Sequence, residues 1–284
     1  MATCYRHPDR ETGLSCSDCG RPICTDCVTF APVGLRCPDH AAAGGSRPKQ
    51  AARPRLAVRR PRIQAGHAPI TRVLVAVLVL IYLAQLGSGA GVNADSGWIF
   101  ENGALYGPLV ADGDWWRLIT AAFLHYGPLH LGLNALALWW LGGAVEGAIG
   151  PWRYGLLYFV SGLAGSAGAL LLDPTAVTVG ASGAIFGMLG AGLILEYMAT
   201  GSLAGQFLTL IAINLVFSFS FSGRISVGGH LGGLVGGILA ILVMTKLGRG
   251  ASRYGRPDAV AIAGVVAIGI ASVAIAYWKV RGYA

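Results

Sequence analysis

Cysteine vanishes from the chain after Cys37, so the remaining body has no disulfide framework to hold it. Charge is scarce as well. Asp, Glu, Lys and Arg make up 12% of the 284 residues, against about 25% in a soluble domain. That shortage excludes a globular protein with an ordinary charged surface. The N-terminus is polar and cysteine-rich, with no short apolar core, so no secretory signal peptide is expected. What the chain does have is apolar residues, at 54%, and 43 glycines. Together these describe an all-α, polytopic membrane protein.

The net charge of +8 is unevenly placed. Arg47, Lys49, Arg53, Arg55, Arg59, Arg60, Arg62 and Arg72 lie between the cysteine-rich head and the first apolar run; Lys246, Arg249, Arg253 and Arg256 lie in one late loop. Basic residues beside membrane spans set orientation, so no nucleic-acid partner is expected. The expected organisation is a metal-binding head at 1–40, a basic disordered linker at 41–68, a six-helix core at 69–248, and a loop with a seventh helix at 249–284.

The head reads Cys4-x2-His7, Cys16-x2-Cys19, Cys24-x2-Cys27 and Cys37-x2-His40. Four two-ligand knuckles give eight ligands, enough for two tetrahedral structural zinc ions. Eight ligands for two ions leave no open position, which argues against catalytic zinc. The order of the knuckles resembles the B-box type of zinc finger. That resemblance implies a cross-brace, with Cys4, His7, Cys24 and Cys27 on one ion and Cys16, Cys19, Cys37 and His40 on the other. Spacing alone leaves sequential pairing open. The head is expected to bind a protein partner or to regulate.

Seven apolar runs follow, near 70–88, 117–142, 154–172, 181–199, 204–221, 226–247 and 259–278. Most reach the ~20 residues needed to cross a bilayer as a helix. Both basic groups face the cytoplasm if all seven runs cross, which leaves the N-terminus inside and the loop 89–116 outside. The second, fourth and sixth runs then point inward. His125, His130 and Asn134 fall in the outer half of the second, Ser182 at the outer end of the fourth, and His230 about one turn into the sixth.

Polar groups at matched depth in apolar helices suggest chemistry. Gly229, Gly233 and Gly237 recur around His230, and Gly183, Gly187 and Ala191 follow Ser182. Such ridges let helices approach closely, which a Ser–His hydrogen bond between helices requires. Phe186, one turn after Ser182, is expected to stack on His230. Glu146, Asp173 and Glu196 sit near span ends, poorly placed to orient the histidine, so a Ser182–His230 dyad is expected rather than a triad. His130 and Asn134 share a helix face and, with the Ser182 N–H, form the expected oxyanion donors. Ser161, Ser166, Ser218 and Ser220 read as packing residues.

Trp116-Arg117, His130-x3-Asn134, Gly180-x-Ser182-Gly183 and Gly229-His230-x2-Gly233-x3-Gly237 together resemble the rhomboid family of intramembrane serine proteases. The resemblance covers about residues 70–247. It implies a seven-helix rhomboid-like bundle in a six-plus-one layout, with Ser182 as nucleophile, His230 as general base, and His130, Asn134 and His125 supporting the oxyanion. Gly180 and Gly183 flank the serine. Phe186 fits a position that is usually aromatic in the family. The resemblance implies transmembrane-helix substrates, cleaved in the bilayer near its outer face without a catalytic cofactor. A catalytically silent, rhomboid-like binding or escort factor is the alternative, and a channel or transporter is a third reading. Composition suits a bacterial plasma membrane.

Overall fold

The computed structural model describes residues 2–31, 34–43, 68–223, 225–246 and 259–283. Two compact units divide the chain, Met1–Val58 and Arg59–Ala284. Most of the basic linker and of the late basic loop lies outside the described residues.

The first unit has almost no apolar core of the usual kind. Two short antiparallel pairs, β1 (Ala2–Thr3) with β2 (Glu11–Thr12) and β3 (Thr29–Phe30) with β4 (Leu35–Arg36), precede helix α1 (Pro38–Ala43). The buried cluster is Ile23 and five cysteines, Cys4, Cys16, Cys24, Cys27 and Cys37. One buried isoleucine cannot offset the entropy of ordering some forty residues.

The second unit is helical. Among the described residues, five helices are long and apolar enough to cross a membrane: α2 (Pro69–Gly87), α8 (Pro151–Leu172), α9 (Ser182–Thr200), α11 (Val227–Lys246) and α12 (Ala259–Val280). Helix α10 (Gln206–Ser220) is apolar but shorter, at 15 residues. The second apolar run is not the single helix its composition suggests. It opens with a short turn of helix, α5 (Arg117–Thr120), and a 3-10 turn at Ala121–Phe123, then straightens over Leu124–Tyr126. Helix α6 (Gly127–Ala137) starts there, with Pro128 in its first turn, and continues through a π-helical turn at Leu138–Gly142 into α7 (Gly143–Ile149). Proline has no N–H to contribute, so it suits a helix start and ends whatever precedes it. His125 therefore precedes the helix rather than lying on it. The preceding stretch, expected as a loop, holds two short helices, α3 (Trp98–Gly103) and α4 (Gly107–Ala111).

Arg117 pins that outer stretch. It is buried, and its guanidinium donates to the carboxylate of Asp114 and to the carbonyls of Glu101 and Ala104. Two acidic side chains hold helix starts. Glu146, buried, accepts from the N–H groups of Ile70 and Thr71 at 3.0 and 2.8 Å and from the Thr71 hydroxyl at 2.8 Å. Glu196 accepts from the N–H groups of Gln206 and Phe207. A negative charge at a helix N-terminus satisfies orphan donors and complements the dipole.

Helices α8, α9 and α11 pack backbone to backbone. A methyl group at Gly233 would run into the Gly183 carbonyl, and one at Gly237 would strike the Gly187 backbone. Gly168 and Gly165 on α8 meet Gly228, Gly232 and Gly229 on α11 in the same way. Helix α8 is the most enclosed of the five long helices, while α2 and α12 are among the least. Gly237→Ala is expected to destabilise the protein by about 1–3 kcal/mol, because backbone cannot move aside for a side chain. Gly132→Ala on α6, where a methyl group would meet nothing within 4 Å, is expected to be neutral or slightly stabilising. Unfolding of the detergent-solubilised variants compares the two.

Candidate functional site

Ser182 is the first residue of α9, and His230 lies in the first turn of α11. The Ser182 Oγ and His230 Nε2 are 2.8 Å apart, a hydrogen bond between residues 48 apart in the chain. The glycine contacts just described hold the two helices at the distance this bond needs. Phe186 stacks on the imidazole, ring centroids 4.1 Å apart and planes 16° from parallel. That contact fixes the ring's plane.

Before Ser182 the chain makes an unusual turn. Gly180 has φ of 123°, a region in which only glycine is at ease. A side chain there would also lie 2.8 Å from the His130 ring atoms Cε1 and Nε2. The turn thus needs glycine twice over. It brings the His130 ring close to Ser182. Its N–H donates to the Ala121 carbonyl at 2.9 Å, tying the turn to the 3-10 segment before α6.

His130 Nδ1 accepts from the Tyr126 N–H at 3.3 Å. A neutral imidazole with an acceptor at Nδ1 carries its hydrogen on Nε2, and Nε2 is the atom facing the Gly180 turn. Asn134, buried one turn later, donates one amide hydrogen to the His130 carbonyl at 2.8 Å and has a second to offer. His125 is fully buried, its ring 5.1 Å from that of His130, and neither ring nitrogen has a partner among the described residues. Its backbone is held by Gln85 of α2, whose Oε1 accepts the His125 N–H at 3.1 Å. His130 of α6 thus lies beside the turn that leads into α9, and Ser182 at the start of α9 bonds His230 in the first turn of α11.

Sequence reasoning singled out the serine, both helix histidines, the asparagine and the aromatic ring; the structure brings Ser182, His230 and Phe186 together with His130 beside them, and Asn134 bonds the His130 carbonyl of its own helix. It missed three supports. Gln85 sits in an apolar helix far from any motif. Tyr126 acts through its backbone, which no side-chain pattern reveals. Ser218, read from sequence as packing, has its Oγ 2.7 Å from His230 Nδ1.

A Rhomboid domain model matches residues 112–247. The chain is 40% identical over 136 residues to the putative rhomboid protease YdcA of Bacillus subtilis (strain 168), which covers 46% of this chain and 67% of that protein. The chain belongs to the rhomboid family. It is also 38% identical over 181 residues to rhomboid protease GluP of the same organism, covering 62% of this chain and 35% of that one. With RHOMBOID-like protein 5 of Arabidopsis thaliana the identity is 39% over 148 residues, half of this chain and 48% of the plant protein. The matches to GluP and the plant protein thus span less than half of those relatives. The family and the five long apolar helices make this an integral membrane protein.

The head of this rhomboid carries two further constellations. Cys4, His7, Cys24 and Cys27 form one group and Cys16, Cys19, Cys37 and His40 another, the ligand atoms of each within 4.8 Å of one another. Of the two pairings left open by spacing, this is the interleaved one. The Cys24 and Cys27 sulfurs lie 3.4 Å from His7 Nδ1, and Cys19 lies 3.9 Å from Cys37. Tetrahedral coordination at ordinary zinc bond lengths separates sulfur from nitrogen by about 3.6 Å and sulfur from sulfur by about 3.8 Å, so the donor sets fit a metal ion. Burial pushes the Cys4 thiol up, but backbone N–H groups of Arg6, Cys24 and His7 outweigh it and bring it down to about 6. Burial and then the sulfurs of Cys24 and Cys4 push Cys27 up to about 11. Clustered thiols resist joint ionisation unless a cation sits among them.

A fluorophosphonate probe tests the Ser182–His230 contact directly. Labelling is expected at Ser182 and expected to be lost in both Ser182→Ala and His230→Ala; mass spectrometry of the labelled peptide checks both. Labelling that survives in His230→Ala would show that the imidazole does not activate the hydroxyl.

Proposed function

We propose that this rhomboid is an intramembrane serine endopeptidase that cleaves transmembrane-helix substrates near the outer membrane face. The observation that carries the reading is the 2.8 Å contact between Ser182 Oγ and His230 Nε2. The names of its relatives GluP and YdcA support it.

His230 Nε2 takes the Ser182 hydroxyl proton as Oγ attacks the scissile carbonyl carbon. The carbonyl oxygen becomes an oxyanion. The Ser182 N–H at the start of α9, His130 Nε2–H and the free Asn134 amide hydrogen are its donors. His125 supports His130 through ring packing. Collapse of the tetrahedral adduct breaks the C–N bond, and His230 returns the proton to the leaving amine. Water then attacks the acyl-enzyme with His230 again as base, which releases the acid and restores Ser182. No metal or organic cofactor takes part.

The substrate is proposed to enter from the bilayer and unwind at small or helix-breaking residues, since a helical peptide bond has its carbonyl committed to the ladder. The proposed orientation places the N-terminus in the cytoplasm, from the basic linker and late loop, in a bacterial plasma membrane. The head is proposed as a B-box-like domain that holds two structural zinc ions through the two groups above. Binding energy of metal then supplies most of its folding energy. A protein partner or a regulatory role is proposed for the head.

Ser182→Ala is expected to abolish cleavage of a purified model transmembrane substrate while leaving the unfolding temperature unchanged, and His230→Ala to lower turnover at least about 10³-fold. Gel and mass-spectrometric product analysis decides; cleavage retained by Ser182→Ala would overturn the assignment. The full chain is expected to hold two zinc ions by elemental analysis, and Cys16→Ser to lose one. Removal of residues 1–68 is expected to remove both while cleavage survives.

A further inference from the structure

Ser218 lies on α10, two residues before its end, and is buried. Its Oγ makes two short contacts. One is 2.6 Å to the Asn214 carbonyl one turn earlier, the other 2.7 Å to His230 Nδ1. A serine hydroxyl has one hydrogen and two lone pairs. A carbonyl oxygen only accepts, and two oxygens at 2.6 Å need a hydrogen between them. The Ser218 hydrogen is therefore committed to Asn214. Toward the imidazole Ser218 can only accept, so Nδ1 must carry a hydrogen. A neutral ring protonated at Nδ1 has its lone pair on Nε2, facing Ser182 Oγ.

We infer that Ser218 is a positioning residue that fixes the His230 tautomer and holds the imidazolium formed during the reaction, acting as a neutral counterpart of the triad carboxylate. The inference rests on the serine-protease reading for its kinetic part only. When Nε2 takes the Ser182 proton the ring becomes a cation, and its Nδ1–H bond to Ser218 becomes charge-assisted and stronger. The Nδ1 hydrogen stays where it is. It moves to neither Ser218 nor Asn214, so the proton balance of the reaction is unchanged. Through Ser218 the α10 backbone carbonyl of Asn214 is coupled to the base on α11.

Carboxylates are absent from this position. Asp173, Glu146 and Glu196 are each engaged elsewhere: Asp173 with Thr175 and the Ala176 N–H, Glu146 with the start of α2, Glu196 with the start of α10. Among the described residues the His230 ring contacts Ser182, Ser218 and Phe186, on α9 and α10, and His130 of α6 is a further ionisable group close enough to act on it.

Two measurements on the full chain in detergent test this. The first is kinetic. Ser218→Ala is expected to lower kcat roughly 10- to 100-fold, the range for losing a hydrogen bond to a charged group, with KM and unfolding temperature little changed. Ser218→Thr, which keeps the hydroxyl, is expected to restore most of the loss. Ser272→Ala, at a buried serine of α12 whose hydroxyl donates to the Ile268 carbonyl of its own helix, is expected to change neither constant. The second is spectroscopic and needs no substrate. In ¹⁵N-histidine-labelled protein, with His230 assigned by its loss in His230→Gln, Nδ1 is expected to be protonated and Nε2 bare. Ser218→Ala is expected to give a mixture of tautomers. A wild-type ring protonated at Nε2, or a tautomer unmoved by Ser218→Ala, would overturn the inference. If Ser218→Ala cleaves normally while Ser182→Ala is dead, the positioning role falls and the protease reading stands. If the native chain cleaves nothing, that reading falls, and the tautomer still judges the placement of Ser218.

Discussion

Two helices can share a hydrogen bond between short side chains only if their backbones nearly touch. Ser182 and His230 reach 2.8 Å because Gly183 faces Gly233 and Gly187 faces Gly237 with no side chain between. In lipid no hydrophobic force draws helices together, since the tails are as apolar as leucine. Close packing and satisfied polar groups must do it instead. The same small-residue surface therefore serves stability and geometry at once. Helix α8 extends the arrangement: its Gly165 and Gly168 lie against the α11 backbone, so α11 is clasped between two smooth surfaces and His230 has little freedom to drift.

An apolar medium also shapes which polar groups sit near the base. A buried carboxylate costs several kcal/mol after relaxation unless it is well paired. The acidic groups Glu146 and Glu196 are placed where helix starts offer several N–H donors each. Around His230 the partners are neutral hydroxyls and an aromatic face. Such a set carries no permanent charge in the resting state. In the proposed reaction it would meet the transient imidazolium with oriented dipoles, so that the desolvation cost falls only on the reacting state.

Much of this was legible in the chain. The knuckles of the head, the Ser182 and His230 neighbourhoods and the glycine repeats are all residue-type patterns at fixed spacing, and spacing survives in any reading of the sequence. The break at Leu124–Tyr126 was not legible. Composition over 117–142 is evenly apolar, and only Gly127-Pro128 marks the new helix start, a signal that a long hydrophobic run overrides. Ser218 was hidden for a different reason. A serine among Phe217 and Phe219 in an apolar helix looks the same whether it packs or orients a ring; only the register between α10 and α11 separates the two. Gln85 acts on a backbone N–H and Tyr126 acts through its own, and backbone groups leave no pattern in sequence.

The two units solve the folding problem with different physics. In the first, the buried cluster is mainly sulfur, and thiols that resist joint ionisation make a poor core by themselves. On the proposed zinc reading the cohesive energy there comes from a cation, and so depends on pH and on metal supply. In the second, the core is apolar and glycine-lined. A single chain can then lose order in its head while its bundle keeps the Ser182–His230 distance. On the proposed reading, that separation lets a metal-binding head be attached to a membrane protease without placing the reaction itself under metal control.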